Sequence, residues 1–94
     1  MDDKQHAVYI LECKDGTYYT GYTNELPRRL AMHESGKGAK YTRGRGPLKL
    51  RFHAVFASKQ EALQAEYAIK RMDRKRKEKL IQEGGMHDVE AEQL

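Results

Sequence analysis

The sequence predicts a small α/β domain whose elements run β-β-α-β-α-α. Three observations carry this. An apolar, β-branched and aromatic run, AVYILEC (7–13), is followed through Lys14-Asp15-Gly16 by a second run, TYYTGY (17–22). Leu26 and Leu30 then recur at helical spacing after Asn24, with Pro27 between them. Later in the chain, Ser58 and Glu61 form a capping box ahead of Ala62, Ala65, Ile69 and Met72, which share one helical face.

The first two strands are joined by a turn that the sequence leaves open. A two-residue Asp-Gly turn pairs Tyr9 with Tyr22 and sets Tyr9 and Tyr19 on opposite faces. A three-residue loop with Gly16 in the left-handed region pairs Leu11 with Tyr19 and puts Tyr9, Leu11 and Tyr19 on one face. Gly21 within the second strand marks a bulge or a close backbone approach. Asn24 is a candidate N-cap for the first helix, and Pro27 is tolerated in its first turn. That helix runs to about Glu34 and stops at Gly36. Arg29 and His33, four apart, stack on one stripe of it.

Residues 36–47, GKGAKYTRGRGP, form a glycine-rich basic loop, and residues 48–57, LKLRFHAVFA, a third strand. The helix after Ser58 carries Glu66 on the face of Ala62 and Ile69. A carboxylate there needs a partner, because an unpaired buried charge is costly. Lys70, four residues on, is one. A last helix is predicted from about Arg74 to Gln82, ending at Gly84-Gly85.

Ninety-four residues make one domain with a small core. Residues 1–85 are assigned to it, and 86–94 to an acidic, disordered tail. No apolar run approaches the ~20 residues needed to span a bilayer, and MDDKQHAV is acidic where a signal peptide is basic. The expected location is the cytoplasm, with no membrane partner. Cys13, the single cysteine, reads as a small buried hydrophobe. The net charge of +4 is unevenly spread. Residues 1–82 hold all 18 lysines and arginines against 10 acids, whereas 83–94 hold four acids and no base. A basic body of this kind suits a polyanion.

Tyr9, then Tyr19-Thr20-Gly21, then Arg29, His33 and Glu66 form an ordered set in strand–strand–helix–strand–helix context. This set resembles the GIY-YIG nuclease superfamily, in particular its small stand-alone bacterial branch, and the resemblance runs from about Val8 to Ile69. It implies a three-stranded antiparallel sheet flanked by helices, with the site on the sheet face beside the first helix. It further implies hydrolysis of nucleic-acid phosphodiester bonds, DNA first, with one divalent metal ion, Mg²⁺ or Mn²⁺, in DNA repair or processing. The alternatives are a nucleic-acid-binding module without turnover and a domain that docks on a partner.

The residues suit that chemistry. Hydrolysis needs an activated water and a counter-charge for the transition state. Arg29 offers a fork of donors for phosphate. Glu66 is a hard oxygen ligand of the kind Mg²⁺ takes in small number. Tyr19 is the candidate to orient or deprotonate the water. A phenol with an ordinary pKa of ~10 is a poor base, so the role requires metal and Arg29 to favour the phenolate. Tyr9 would hold water or phosphate, and His33 would serve as acid, base or phosphate donor. Tyr22, where some relatives carry lysine, is a further candidate phosphate contact. The asparagine that relatives often carry after the glutamate helix is absent from 67–94. Lys37, Lys40, Arg43 and Arg45, interleaved with glycines, are candidates for the phosphate backbone. The run 70–77 is a second candidate, and a protein partner is expected for targeting.

Overall fold

The computed structural model describes residues 5–37, 44 and 46–83. Its elements are β1 (His6–Glu12), β2 (Tyr18–Thr23), α1 (Leu26–Glu34), β3 (Lys49–Phe56), α2 (Lys59–Lys70) and α3 (Arg74–Glu83). The strands form one antiparallel sheet in the order β2-β1-β3. The predicted architecture is therefore found, with strand ends moved by one residue or so. Lys40, Arg43, Arg45 and the segment 86–94 lie outside the described residues.

The β1–β2 turn is the three-residue loop. Leu11 pairs with Tyr19 and Tyr9 with Gly21. The Cys13 N–H donates to the Thr17 carbonyl at 2.8 Å, and Gly16 sits at φ 86°, a region that favours glycine. Asp15 Oδ1 accepts from both the Thr17 N–H and its hydroxyl, closing the loop.

Because side chains alternate along a strand, the two faces of β1 build two cores. Val8 and Ile10 join Phe52 of β3 and Ala62 and Ile69 of α2, with Leu80 and Ile81 of α3 packed alongside. Tyr9 and Leu11 join Cys13 and Leu48, covered by Leu26 and Leu30 of α1. Thus α1 lies on one face of the sheet, and α2 and α3 lie on the other.

The helix signals are mostly realised. The Ser58 hydroxyl accepts from the Glu61 N–H at 3.1 Å, the expected cap. At the end of α1, Gly36 takes φ 83°, its N–H donates to the His33 carbonyl, and the Lys37 N–H donates to that of Met32. This pair of bonds is a Schellman closure. Asn24 is not the N-cap. The ladder starts one residue later, with the Arg29 N–H on the Glu25 carbonyl at 2.9 Å, and Glu25 makes no side-chain cap. Thr23 takes over locally, its hydroxyl accepting from the Glu25 N–H at 3.0 Å.

At its N-terminus α3 is tied to the hairpin turn by Arg74. Arg74 donates to the Gly16 carbonyl at 2.7 Å and lies over the Tyr18 ring, 4.6 Å from its centroid.

Candidate active site

Four of the predicted residues meet on the α1 face. The Tyr9 hydroxyl and His33 Nε2 are 2.9 Å apart, and the two side chains are 0% and 2% exposed. The Tyr19 ring lies 5.4 Å from that of His33 and 6.3 Å from that of Tyr9. Arg29, one turn before His33 on α1, brings its guanidinium within hydrogen-bonding reach of both phenols.

Gly21 makes the cluster possible. A Cβ there would stand 2.6 Å from the Tyr9 hydroxyl oxygen, 2.7 Å from its Cζ and 3.0 Å from Tyr19 Cε2. Since Tyr9 pairs directly with Gly21, its ring lies across that bare backbone. Of the two sequence readings for Gly21, the close approach is the one found.

Donor chemistry orders the protons. A guanidinium only donates, so Arg29 occupies the Tyr9 oxygen as acceptor and leaves the phenol proton for His33 Nε2. Burial, helped by Arg29, pushes His33 below the ordinary imidazole range, which keeps it neutral and able to accept. Burial also pushes Tyr9 above the ordinary phenol range; the Arg29 bond opposes this, and the Tyr19 and Glu66 sides add to it. Arg29 itself is pushed up, chiefly by its bond to Tyr9, and stays charged. Tyr9 and His33 are thus neutral, buried and bonded to each other, and Tyr19 and Arg29 are half-exposed. A cleft of about 250 Å³ beside Arg29 is lined by Thr23, Asn24, Glu25, Arg28, Arg29 and Met32.

Glu66 comes from the helix on the other face of the sheet, yet its charge still reaches the Tyr9 phenol. Its carboxylate pairs with Lys70 at 3.1 Å, with the side chains 17% and 53% exposed. An ion pair with one end in solvent is weak and can open. Among the described residues no group of three or more His, Cys, Asp or Glu converges on one point. A single part-exposed carboxylate fits Mg²⁺ or Mn²⁺ held mainly by substrate oxygens and water.

Tyr22 does not join the cluster. It packs under α2, stacks on His6, and shares a 2.8 Å hydrogen bond with His6 Nδ1. Lys37 is exposed just past α1. One neighbour escaped the sequence reading: His53, directly opposite Tyr9 on β3, whose buried Nδ1 has no hydrogen-bond partner among the described residues. Only the β1–β3 register reveals it. No helix of the described residues is long and apolar enough to cross a membrane.

A three-stranded antiparallel sheet with helices on both faces makes the chain a small α/β domain. The chain belongs to the GIY-YIG catalytic domain family, whose family model matches residues 5–79. It is 55% identical over 84 residues to a UPF0213 protein of Halalkalibacterium halodurans, covering 88% of this chain and 89% of that one. A UPF0213 protein of Oceanobacillus iheyensis is 59% identical over 80 residues, covering 85% and 93%. The fold is that of solved relatives. The solution NMR structure of a UPF0213 protein from Bacillus halodurans matches with a TM-score of 0.59 at 55% identity, covering 87% of each chain. That of a protein from E. faecalis matches at 0.61 and 43% identity, covering 86% of each. The family is one of nucleases, which supports a nucleic-acid substrate.

Proposed function

We propose that this chain is a divalent-metal-dependent endonuclease that hydrolyses phosphodiester bonds in DNA. The observation that carries the reading is Arg29, whose guanidinium reaches both Tyr9 and Tyr19 and which also lines a neighbouring cleft. Two phenols use only part of a five-donor fork, so donors remain for a phosphate oxygen. Arg29 then supplies positive charge where negative charge grows in the transition state.

Tyr19, at the rim of the cluster, orients the attacking water and takes its proton when its phenolate is stabilised. The water oxygen bonds to phosphorus as the opposite P–O bond breaks, and the departing oxygen takes a proton from solvent. Tyr9 and His33 are buried. Their roles become positional: His33 holds Tyr9, and Tyr9 holds Arg29. Glu66 would hold Mg²⁺ or Mn²⁺, which when bound polarises the phosphate and stabilises charge on its oxygens.

One rival has an observation of its own. The Glu66–Lys70 pair is what a nucleic-acid-binding module without turnover would keep. Incubating plasmid, branched DNA and RNA with the protein, with and without Mg²⁺, separates the two. The nuclease reading requires metal-dependent cleavage of DNA that Glu66→Gln and Arg29→Ala both abolish while Glu66→Gln still binds. Binding without any metal-dependent cleavage leaves the rival.

A further inference from the structure

We infer that the outward stripe of α2, centred on Tyr67 and Arg71, is a stacking site for an unpaired nucleotide base. The ligand class rests on the nuclease reading; the stripe itself rests on geometry. Tyr67 is 63% exposed and Leu63 39%, the two most exposed large apolar side chains of α2. Lys59, Leu63, Tyr67 and Arg71 follow one another at four-residue steps, so they form one line along the helix. Lys59, Leu63 and Tyr67, with Gln60 and Gln64, line an open groove of about 630 Å³.

The ring is held, not loose. Arg71 donates to the Tyr67 hydroxyl at 3.2 Å, and its guanidinium carbon stands 5.3 Å from the ring centroid. A tyrosine braced by a planar cation presents a flat surface at reduced ordering cost, which is what base stacking uses. The stripe has a cation at each end and no carboxylate. Its charge therefore complements a nucleic-acid strand. A second copy is disfavoured, because the chain carries a net charge of +4 and two copies repel.

Tyr67 follows Glu66 and Arg71 follows Lys70, so the stripe is turned about 100° round α2 from the Glu66–Lys70 pair. Bases inside a duplex keep their faces stacked on each other, so the base that fits here is unpaired.

The test uses the full chain without divalent metal, so that nothing is cut. The probe is a short single-stranded DNA carrying one 2-aminopurine, with a blunt duplex of the same sequence as control. Wild type should quench the 2-aminopurine. Tyr67→Ala should remove the quenching and weaken single-strand binding about ten-fold, with duplex binding unchanged. Tyr67→Phe should retain both. The inference is overturned if Tyr67→Ala leaves single-strand affinity intact or weakens duplex binding equally. It is also overturned if wild type binds neither DNA but self-associates in sedimentation through Tyr67. Cleavage is scored separately in Mg²⁺. Quenching without cleavage removes the nuclease reading and keeps the stacking site; cleavage with an indifferent Tyr67 does the reverse.

Discussion

Tyr9 and His33 stand 24 residues apart in the chain and 2.9 Å apart in the fold, joined by a buried hydrogen bond. The bond needs a neutral imidazole. Burial lowers the folded His33 pKa below its ordinary value of 6.5, so the folded state binds fewer protons than the unfolded state between those two values. Stability is then complete above pH ~6.5 and is lost as pH falls toward the folded pKa. Urea denaturation from about pH 8 to about pH 5 should show that loss, and His33→Asn should flatten the difference. An unchanged slope in the variant would mean that His33 is not the titrating group.

Gly21→Ala should destabilise the domain by about 1–3 kcal/mol, the usual range for overpacking. The new methyl meets Tyr9 and Tyr19 ring atoms, and Tyr9 is pinned by His33. Metal-dependent cleavage should fall in parallel, because the ring displaced is the one that holds Arg29. Thermal melting and the DNA cleavage rate, taken together, check this.

Arg29→Lys keeps the charge but loses the fork that spans two phenols and, on the proposed reading, a phosphate. Cleavage should drop about a hundred-fold, with Mg²⁺ affinity unchanged. Single-turnover rates and a calorimetric metal titration provide the two readings. A fully active lysine variant would show that point charge alone suffices.

Lys70→Met should shift Mg²⁺ or Mn²⁺ binding, measured with the metal alone, to lower concentration. Lys70 now pairs with the Glu66 carboxylate at 3.1 Å, and an incoming cation must displace it. Unaltered metal affinity would mean that Glu66 is not the ligand.

Arg74→Ala should cost about 1 kcal/mol by denaturant titration, from a lost carbonyl hydrogen bond and a lost contact with the Tyr18 ring. Because Arg74 ties α3 to the β1–β2 loop, amide exchange should rise first at Gly16 and Thr17.

Local signals in the sequence were enough for the element order. Alternating β-branched and aromatic residues, the Ser58 cap and the Gly36 stop each act over a few residues, where backbone sterics and hydrogen bonding dominate. The ordered set from Tyr9 to Glu66 likewise sufficed for the family. The loop choice did not follow, since Lys14-Asp15-Gly16 is compatible with both two- and three-residue turns. The observed loop, with Gly16 at φ 86°, places Tyr9 beside Tyr19, and packing against Leu26 and Leu30 of α1 accompanies that register. Nor could spacing reveal that Glu66 belongs to a helix on the opposite face from Arg29, that Tyr22 turns away to His6, or that His53 stands across from Tyr9. Those facts depend on β3 pairing with β1 and on which face each helix covers. Both are decided by contacts between segments distant in sequence, whose energies exist only once the chain has closed on itself.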